Sequence, residues 1–167
     1  MAKTMFNDVE AAKIAVNMER SGLAFYTYAA ARVKDPAVRK VFERLASDER
    51  EHITAFEDLH ERLLQEPRRE SYFDDEAIDL YMRRLVGSHV FSDEGAARRL
   101  LDDTDSDIAA LGLAMRVERD VMLYYQEMLN FSASPAAREV FQAIAEQERR
   151  HLMTLAERSE KCEDFQG

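Results

Sequence analysis

Residues 48–52 read DEREH and residues 146–151 read EQERRH, and the fold of this chain turns on these two stretches being one motif. Each holds a Glu-x-x-His, Glu49 with His52 and Glu148 with His151, and each lies 30 residues after a lone helix glutamate, Glu19 or Glu118. A shift of 99 residues carries the first set of three onto the second. Glutamate and histidine are the mixed oxygen and nitrogen ligands of iron, manganese and zinc. A single Glu-x-x-His is a weak signal. Two in register, each preceded by a glutamate at the same distance, are a specific one.

The same shift aligns residues 15–52 with 114–151 and pairs Arg20/Arg119, Tyr26/Tyr125, Pro36/Pro135, Arg39/Arg138, Val41/Val140, Phe42/Phe141 and Arg50/Arg149. Apolar periodicity forces some matches between any two amphipathic hairpins, but it does not force shared prolines and arginines. The chain therefore reads as a duplicated two-helix hairpin. Four long stretches carry helical periodicity, at about residues 7–33, 36–65, 105–131 and 135–159. Asp35-Pro36 and Ser134-Pro135 supply the same start signal, a capping side chain followed by proline at the first helical position. Pro67 ends the second helix by about Glu66. Between the hairpins, residues 66–104 form a long connection with a short helix over Asp74–Val86 and another, capped by Ser92 or Asp93, through Leu101. Its apolar residues Tyr72, Phe73, Tyr81 and Phe91 require cover, on the bundle flank or in a subunit interface, so a homodimer or higher homo-oligomer is expected.

Composition agrees with an all-α chain. It has five Gly, three Pro and no Trp, with 46% hydrophobic and 34% charged residues. At 167 residues a single domain spanning 1–167 is expected, long enough to bury a core. A net charge of −10 argues against nucleic acid or an anionic membrane surface as partner. Cys162 is the only cysteine and falls in what reads as a polar tail, which excludes a disulfide framework and a Cys-x-x-Cys metal site. No stretch approaches 18 apolar residues and the first residues lack a signal peptide's apolar run, so a cytoplasmic location is expected.

Each of the four glutamates sits within an apolar stripe. Glu19 lies among Ala15, Met18, Gly22 and Tyr26, and Glu49 among Phe42, Leu45, Ile53 and Phe56. An ionised carboxylate buried without a partner costs several kcal/mol, and these stripes offer no lysine or arginine, so metal cations are the simplest compensation. The heights agree as well. Glu19 lies 16 residues before Asp35 and Glu49 lies 14 after it, and the same two intervals flank Ser134. At about 1.5 Å per residue, antiparallel packing brings all four to one level, and the i and i+3 residues of each Glu-x-x-His share a face.

With MERSGLAFY at 18–26, VERDVMLYY at 117–125, and DEREH and EQERRH, the chain resembles the ferritin-like di-iron carboxylate proteins, the class in which this helical arrangement is described, and among them the rubrerythrin-like branch. The resemblance covers the four long helices. It implies a ferritin-like four-helix bundle whose 66–104 segment crosses over so that the second and third bundle helices run parallel. It further implies two iron ions, with zinc or manganese as substitutes. Glu19 and Glu118 would be terminal carboxylates, Glu49 and Glu148 would bridge, and His52 and His151 would be terminal nitrogens. The activity implied is reduction of peroxide or reaction with dioxygen, with electrons from a separate donor such as a rubredoxin-like protein, because the chain carries no rubredoxin domain. Rubrerythrins typically carry a further glutamate one turn after the third-helix ligand, where this chain has Val121. Two other functions fit the same ligands: iron storage or handling, against which only KCEDFQG follows the fourth helix, and a structural metal site.

Tyr26 and Tyr125 lie two turns beyond Glu19 and Glu118 on the same stripes, placed to hydrogen-bond ligand carboxylates or to serve only as core. Glu57-Asp58-Leu59-His60 is a third Glu-x-x-His, but at a shift of 99 its image is Ala156 and Ser159, so it reads as a solvated face. Asp103, Asp105 and Asp107 alternate like a calcium loop, but Ile108 stands where the loop needs Gly and Ala114 where it needs Glu, so they read as helix caps. His89 falls in the connection and carries no signal.

Overall fold

A computed structural model describes residues 6–67, 76–87 and 94–164, and all of their regular structure is helical. Four long helices form the bundle: α1 (Asp8–Arg32), α2 (Pro36–Gln65), α5 (Asp107–Phe131) and α6 (Pro135–Asp164). The connection contributes α3 (Glu76–Gly87) and α4 (Glu94–Asp102). α1 and α5 are both 25 residues long, α2 and α6 both 30, and each boundary in the second hairpin is the first hairpin's moved by 99.

The caps repeat too. Asn7 accepts from the Glu10 N–H and Ser106 from that of Ala109, satisfying an orphan amide at the start of α1 and of α5. Asp35 and Ser134 do the same for α2 and α6 through Ala37 and Ala137. The Asp107 carboxylate accepts from the backbone of Lys34 and Asp35, and its counterpart Asp8 accepts from Ser134. The turn of each hairpin is thus held by the first residue of the other hairpin's first helix. Arg39 and Arg138 complete the turns by donating to the carbonyls of Val33 and Ser132.

These contacts set the directions. α5 begins where α1 ends and α2 begins, so α2 and α5 run parallel and the connection must cross the length of the bundle. α4 rests on α1, where the Tyr28 hydroxyl donates to Asp102 at 2.6 Å and Arg32 pairs with the same carboxylate at 3.0 Å. The expected all-α, ferritin-like helical bundle is the architecture found.

Some details differ from the sequence expectations. α6 runs to Asp164, not 159, and takes Cys162 with it into a buried position near Asp35 and Arg158. The tail looks polar by composition, but Ser159 and Cys162 recur at helical spacing and face inward. α5 starts at Asp107, two residues later than expected, because Ser106 serves as its cap. Leu101 and Met82 are buried on the bundle flank, whereas Leu80 and Tyr81 stay exposed. Tyr72, Phe73, His89, Phe91 and the caps expected at Ser92 or Asp93 lie outside the described residues.

Two apolar clusters fill the bundle. One, around Phe25, Val38, Phe42, Leu111 and Leu155, occupies the end where α1 meets α2. The other, around Phe56, Leu59, Tyr124, Met128 and Phe141, occupies the opposite end. Fully burying such side chains contributes about 1.5–3 kcal/mol each. Between the clusters lies a layer of buried charge.

Candidate metal centre

Glu19, Glu49, His52, Glu118, Glu148 and His151 are all buried, each at 6% exposure or less. One glutamate comes from α1, one from α5, and a Glu-x-x-His from each of α2 and α6. The antiparallel hairpins bring them to one height, as the equal intervals about Asp35 and Ser134 require. Donor atoms of Glu19, Glu49, His52 and Glu148 all lie within 4.8 Å of one another, and so do those of Glu49, Glu118, Glu148 and His151. Glu49 and Glu148 belong to both groups. The six residues therefore form two overlapping donor groups with two shared carboxylates, each compatible with a metal ion.

Both imidazoles turn Nδ1 inward. His52 Nδ1 lies 2.9 Å from Glu148, 3.4 Å from Glu19 and 3.7 Å from Glu49, while His151 Nδ1 lies 2.6 Å from Glu148 and 3.7 Å from Glu118. These approaches are close without hydrogen-bond geometry. Glu49 Oε2, both Glu148 oxygens and both Nδ1 atoms are buried with no hydrogen-bond partner. Five unsatisfied polar atoms aimed at one small space are costly unless something there accepts their lone pairs. A pair of divalent cations fits that donor set: oxygen and imidazole nitrogen, with two carboxylates placed to be shared.

The protonation pattern carries the same message. Burial raises the carboxyls of Glu19, Glu49 and Glu118 above the usual carboxylate range, and neighbouring glutamate charges push them further. Burial would also raise Glu148, but His151 and His52 flank it and hold it down at about 2. Burial alone would lower the histidines, yet the close carboxylates of Glu118 and Glu148 hold His151 up at about 11, and those of Glu148, Glu19 and Glu49 raise His52.

Each tyrosine singled out in the sequence crosses the bundle. Tyr26 on α1 donates to Glu118 on α5, and Tyr125 on α5 donates to Glu19 on α1. Burial, reinforced by the Glu118 charge, raises the Tyr26 phenol well above its ordinary value, so it stays protonated and donates. Tyr26 belongs to one apolar cluster and Tyr125 to the other, so the carboxylate layer is held from both sides.

Three residues that sequence reasoning passed over also shape the site. A Cβ at Gly22 would sit 3.2 Å from Glu49 Cδ and 3.3 Å from its Oε2, so the glycine on α1 leaves the room that Glu49 fills. Its counterpart after the shift is Val121, which is buried in the apolar cluster. Asp48 Oδ2 lies 3.1 Å from His151 Nε2, and Gln147 Oε1 lies 3.1 Å from His52 Nε2. The signal for these two was present in the sequence: each stands four residues before one histidine and serves the other. The control motif behaves as expected of a solvated face, with Glu57 paired to Arg20 at 2.6 Å and His60 apart from the cluster. Asp103, Asp105 and Asp107 gather no metal-like group among the described residues, and Asp107 serves the turn.

Residues 10–85, which include Glu19, Glu49 and His52, match the family model described as Rubrerythrin. Comparison with curated proteins and with solved structures gave no match. The second hairpin lies beyond the matched span, but it repeats the first hairpin's glutamates and histidine, its cap positions and its helix boundaries. Residues 10–85 are thus similar to the rubrerythrin family, and the described structure is an all-α, ferritin-like helical bundle.

Proposed function

We propose that this protein is a di-iron oxidoreductase that reduces peroxide or reacts with dioxygen, drawing electrons from a separate donor such as a rubredoxin-like protein. The observation that carries this reading is the pair of four-residue groups sharing Glu49 and Glu148, with unsatisfied donor atoms converging between them. Glu19 and His52 would complete one position, and Glu118 and His151 the other. Iron bound there would supply two-electron chemistry toward peroxide or dioxygen; zinc or manganese could occupy the same ligands.

The chain's own residues account for the rest. Four carboxylates match the charge of two divalent cations, so both imidazoles would be neutral and the centre would carry no net charge. The Tyr26 and Tyr125 hydroxyls each donate a hydrogen bond to a carboxylate oxygen, which steadies Glu118 and Glu19 as charge at the centre changes. The rings of Phe42, Phe56 and Phe141 pack against those tyrosines and exclude bulk water. A role in the oxidative-stress response, a cytoplasmic setting, a single-domain protomer and a homo-oligomeric assembly belong to this reading.

Stopped-flow oxidation of the ferrous-loaded protein by peroxide and by dioxygen, after metal quantification, tests it. Oxidation well above the rate of free ferrous ion supports the proposal. Oxidation no faster than free iron with either oxidant rejects it and leaves a structural or storage site.

A further inference from the structure

The two halves of the centre repeat one another in every ligand, but not in what stands behind the histidines. With Nδ1 facing the cluster, each ring's Nε2 must carry the proton and donate outward. His151 Nε2 donates to Asp48, a carboxylate that accepts only, at 3.1 Å. His52 Nε2 donates to the amide oxygen of Gln147, also at 3.1 Å. The two contacts cross: Asp48 lies on α2 with His52 and Gln147 on α6 with His151, so each helix supports the other helix's ligand.

A carboxylate behind an imidazole fixes its tautomer and makes the inward nitrogen a better donor; a neutral amide fixes the tautomer with far less electronic effect. We infer that the two metal positions are chemically distinct, with the His151–Glu118 position the tighter one because Asp48 supports its imidazole. This rests on the two-metal reading above and assigns Asp48 and Gln147 as positioning residues.

The surroundings have diverged in the same way. His151 borders a surface cleft lined by the cationic side chains of Lys40, Arg44 and Arg150. The positions reached by the 99-residue shift on the His52 side are Glu139, Ala143 and Glu51. Arg44 stands 4.0 Å from Asp48, so the carboxylate lies between a cation and an imidazole N–H. Duplication kept the ligands and changed the charge of the positions around them: three cations line the cleft at His151, and two glutamates and an alanine stand at the shifted positions.

The test is anaerobic titration of metal-free protein with cobalt(II), followed by calorimetry and visible absorption, in the wild type, Asp48→Asn and Gln147→Glu. Expected in the wild type are two binding steps separated by roughly 10–100-fold. Asp48→Asn, which keeps shape and a hydrogen-bond acceptor, should weaken the tight step by that factor and merge the two. Gln147→Glu should tighten the weak step and close the gap from the other side. The absorption bands of the first-filled position should shift in Asp48→Asn and stay put in Gln147→Glu. Two equal steps in the wild type overturn the inference and leave the two-metal reading standing, as does an Asp48→Asn protein that keeps the gap or loses both steps equally. Failure of the wild type to bind cobalt overturns both.

Discussion

Replacing Tyr125 by phenylalanine isolates one hydrogen bond in the centre. The ring is wholly buried, with centroids 5.3 Å from Phe56, 5.6 Å from Phe141 and 5.8 Å from Tyr124, and phenylalanine fills the same space. Only the donation to Glu19 is lost. Glu19 is itself buried at 2% exposure, so no bulk water replaces the hydroxyl. A hydrogen bond to a charged group contributes about 1.5–3 kcal/mol, and for a chain of this size each kcal/mol moves Tm by roughly 2–4 °C. Metal-free Tyr125→Phe should therefore melt roughly 3–12 °C below the parent at neutral pH. The loss has a ceiling that pH reveals. Burial raises the Glu19 carboxyl, so in acid it takes up a proton and no longer presents a full charge to the missing donor. Thermal melts by circular dichroism at pH 7.5 and pH 5.5 should show the larger penalty at the higher pH. A Tyr125→Phe protein melting within about 1 °C of the parent at both values would refute the reasoning, because the phenol would then be packing alone.

Metal removal should lower Tm, and the gap should shrink in acid. Each site saturated at about 100 times its Kd adds about 2.7 kcal/mol, so two sites give roughly 10–20 °C at pH 7.5. The sign follows from the raised groups. Glu19, Glu49, Glu118 and His151 keep their protons to higher pH in the folded metal-free chain than in the unfolded chain, so their contribution is full at low pH and drains as pH rises through the folded values, about 11 for His151. Glu148 runs the other way, and its contribution is lost only as pH falls toward about 2. Equal gaps at pH 7.5 and 5.5 in scanning calorimetry would contradict this. Gly22→Ala should split folding from metal binding: helix propensity favours alanine by about 1 kcal/mol, while the new Cβ crowds Glu49 at 3.2 Å. The metal-free variant should melt at or slightly above the parent and gain less on metal addition; an unchanged gain would show that the room at Gly22 is not what metal binding requires. Glu57→Gln with His60→Ala, the control Glu-x-x-His, should leave metal stoichiometry at two per chain by elemental analysis, and a fall to one would relocate a site.

What made the buried glutamate–histidine cluster legible was that burial and chemistry disagree at its glutamates. A glutamate on an apolar stripe violates the pattern that places every other residue, and the same violation recurs 99 residues on. The helix starts were legible for a related reason: Asp35-Pro36 and Ser134-Pro135 are local signals that need no tertiary context. The start of the repeat at Asn7 and Ser106 was concealed because two different side chains perform one capping role. The last turn of α6 was missed because Ser159 and Cys162 count as tail by composition and as core by position. Asp48 and Gln147 were harder still. Each is a half-buried polar residue beside a buried glutamate on its own helix, and acquires its role only when the other hairpin presents a histidine to it.

That last case shows where this chain's individuality lies. The duplication imposes two-fold likeness on whatever holds the bundle together, so equal helices, exchanged turn contacts and crossed tyrosines follow from a single hairpin sequence read twice. Chemistry that depends on likeness is carried by positions the shift preserves. Chemistry that depends on difference must sit where the shift fails next to the centre, and two such failures are in contact with it or one turn from a ligand. Gly22 against Val121 gives Glu49 room on one side and places a buried aliphatic group one turn after Glu118 on the other. Asp48 against Gln147 puts charge behind one imidazole only. On the proposed two-metal reading, a centre built from identical ligands would still distinguish its two positions, and substitutions that restore the symmetry should abolish the distinction while leaving both positions able to bind.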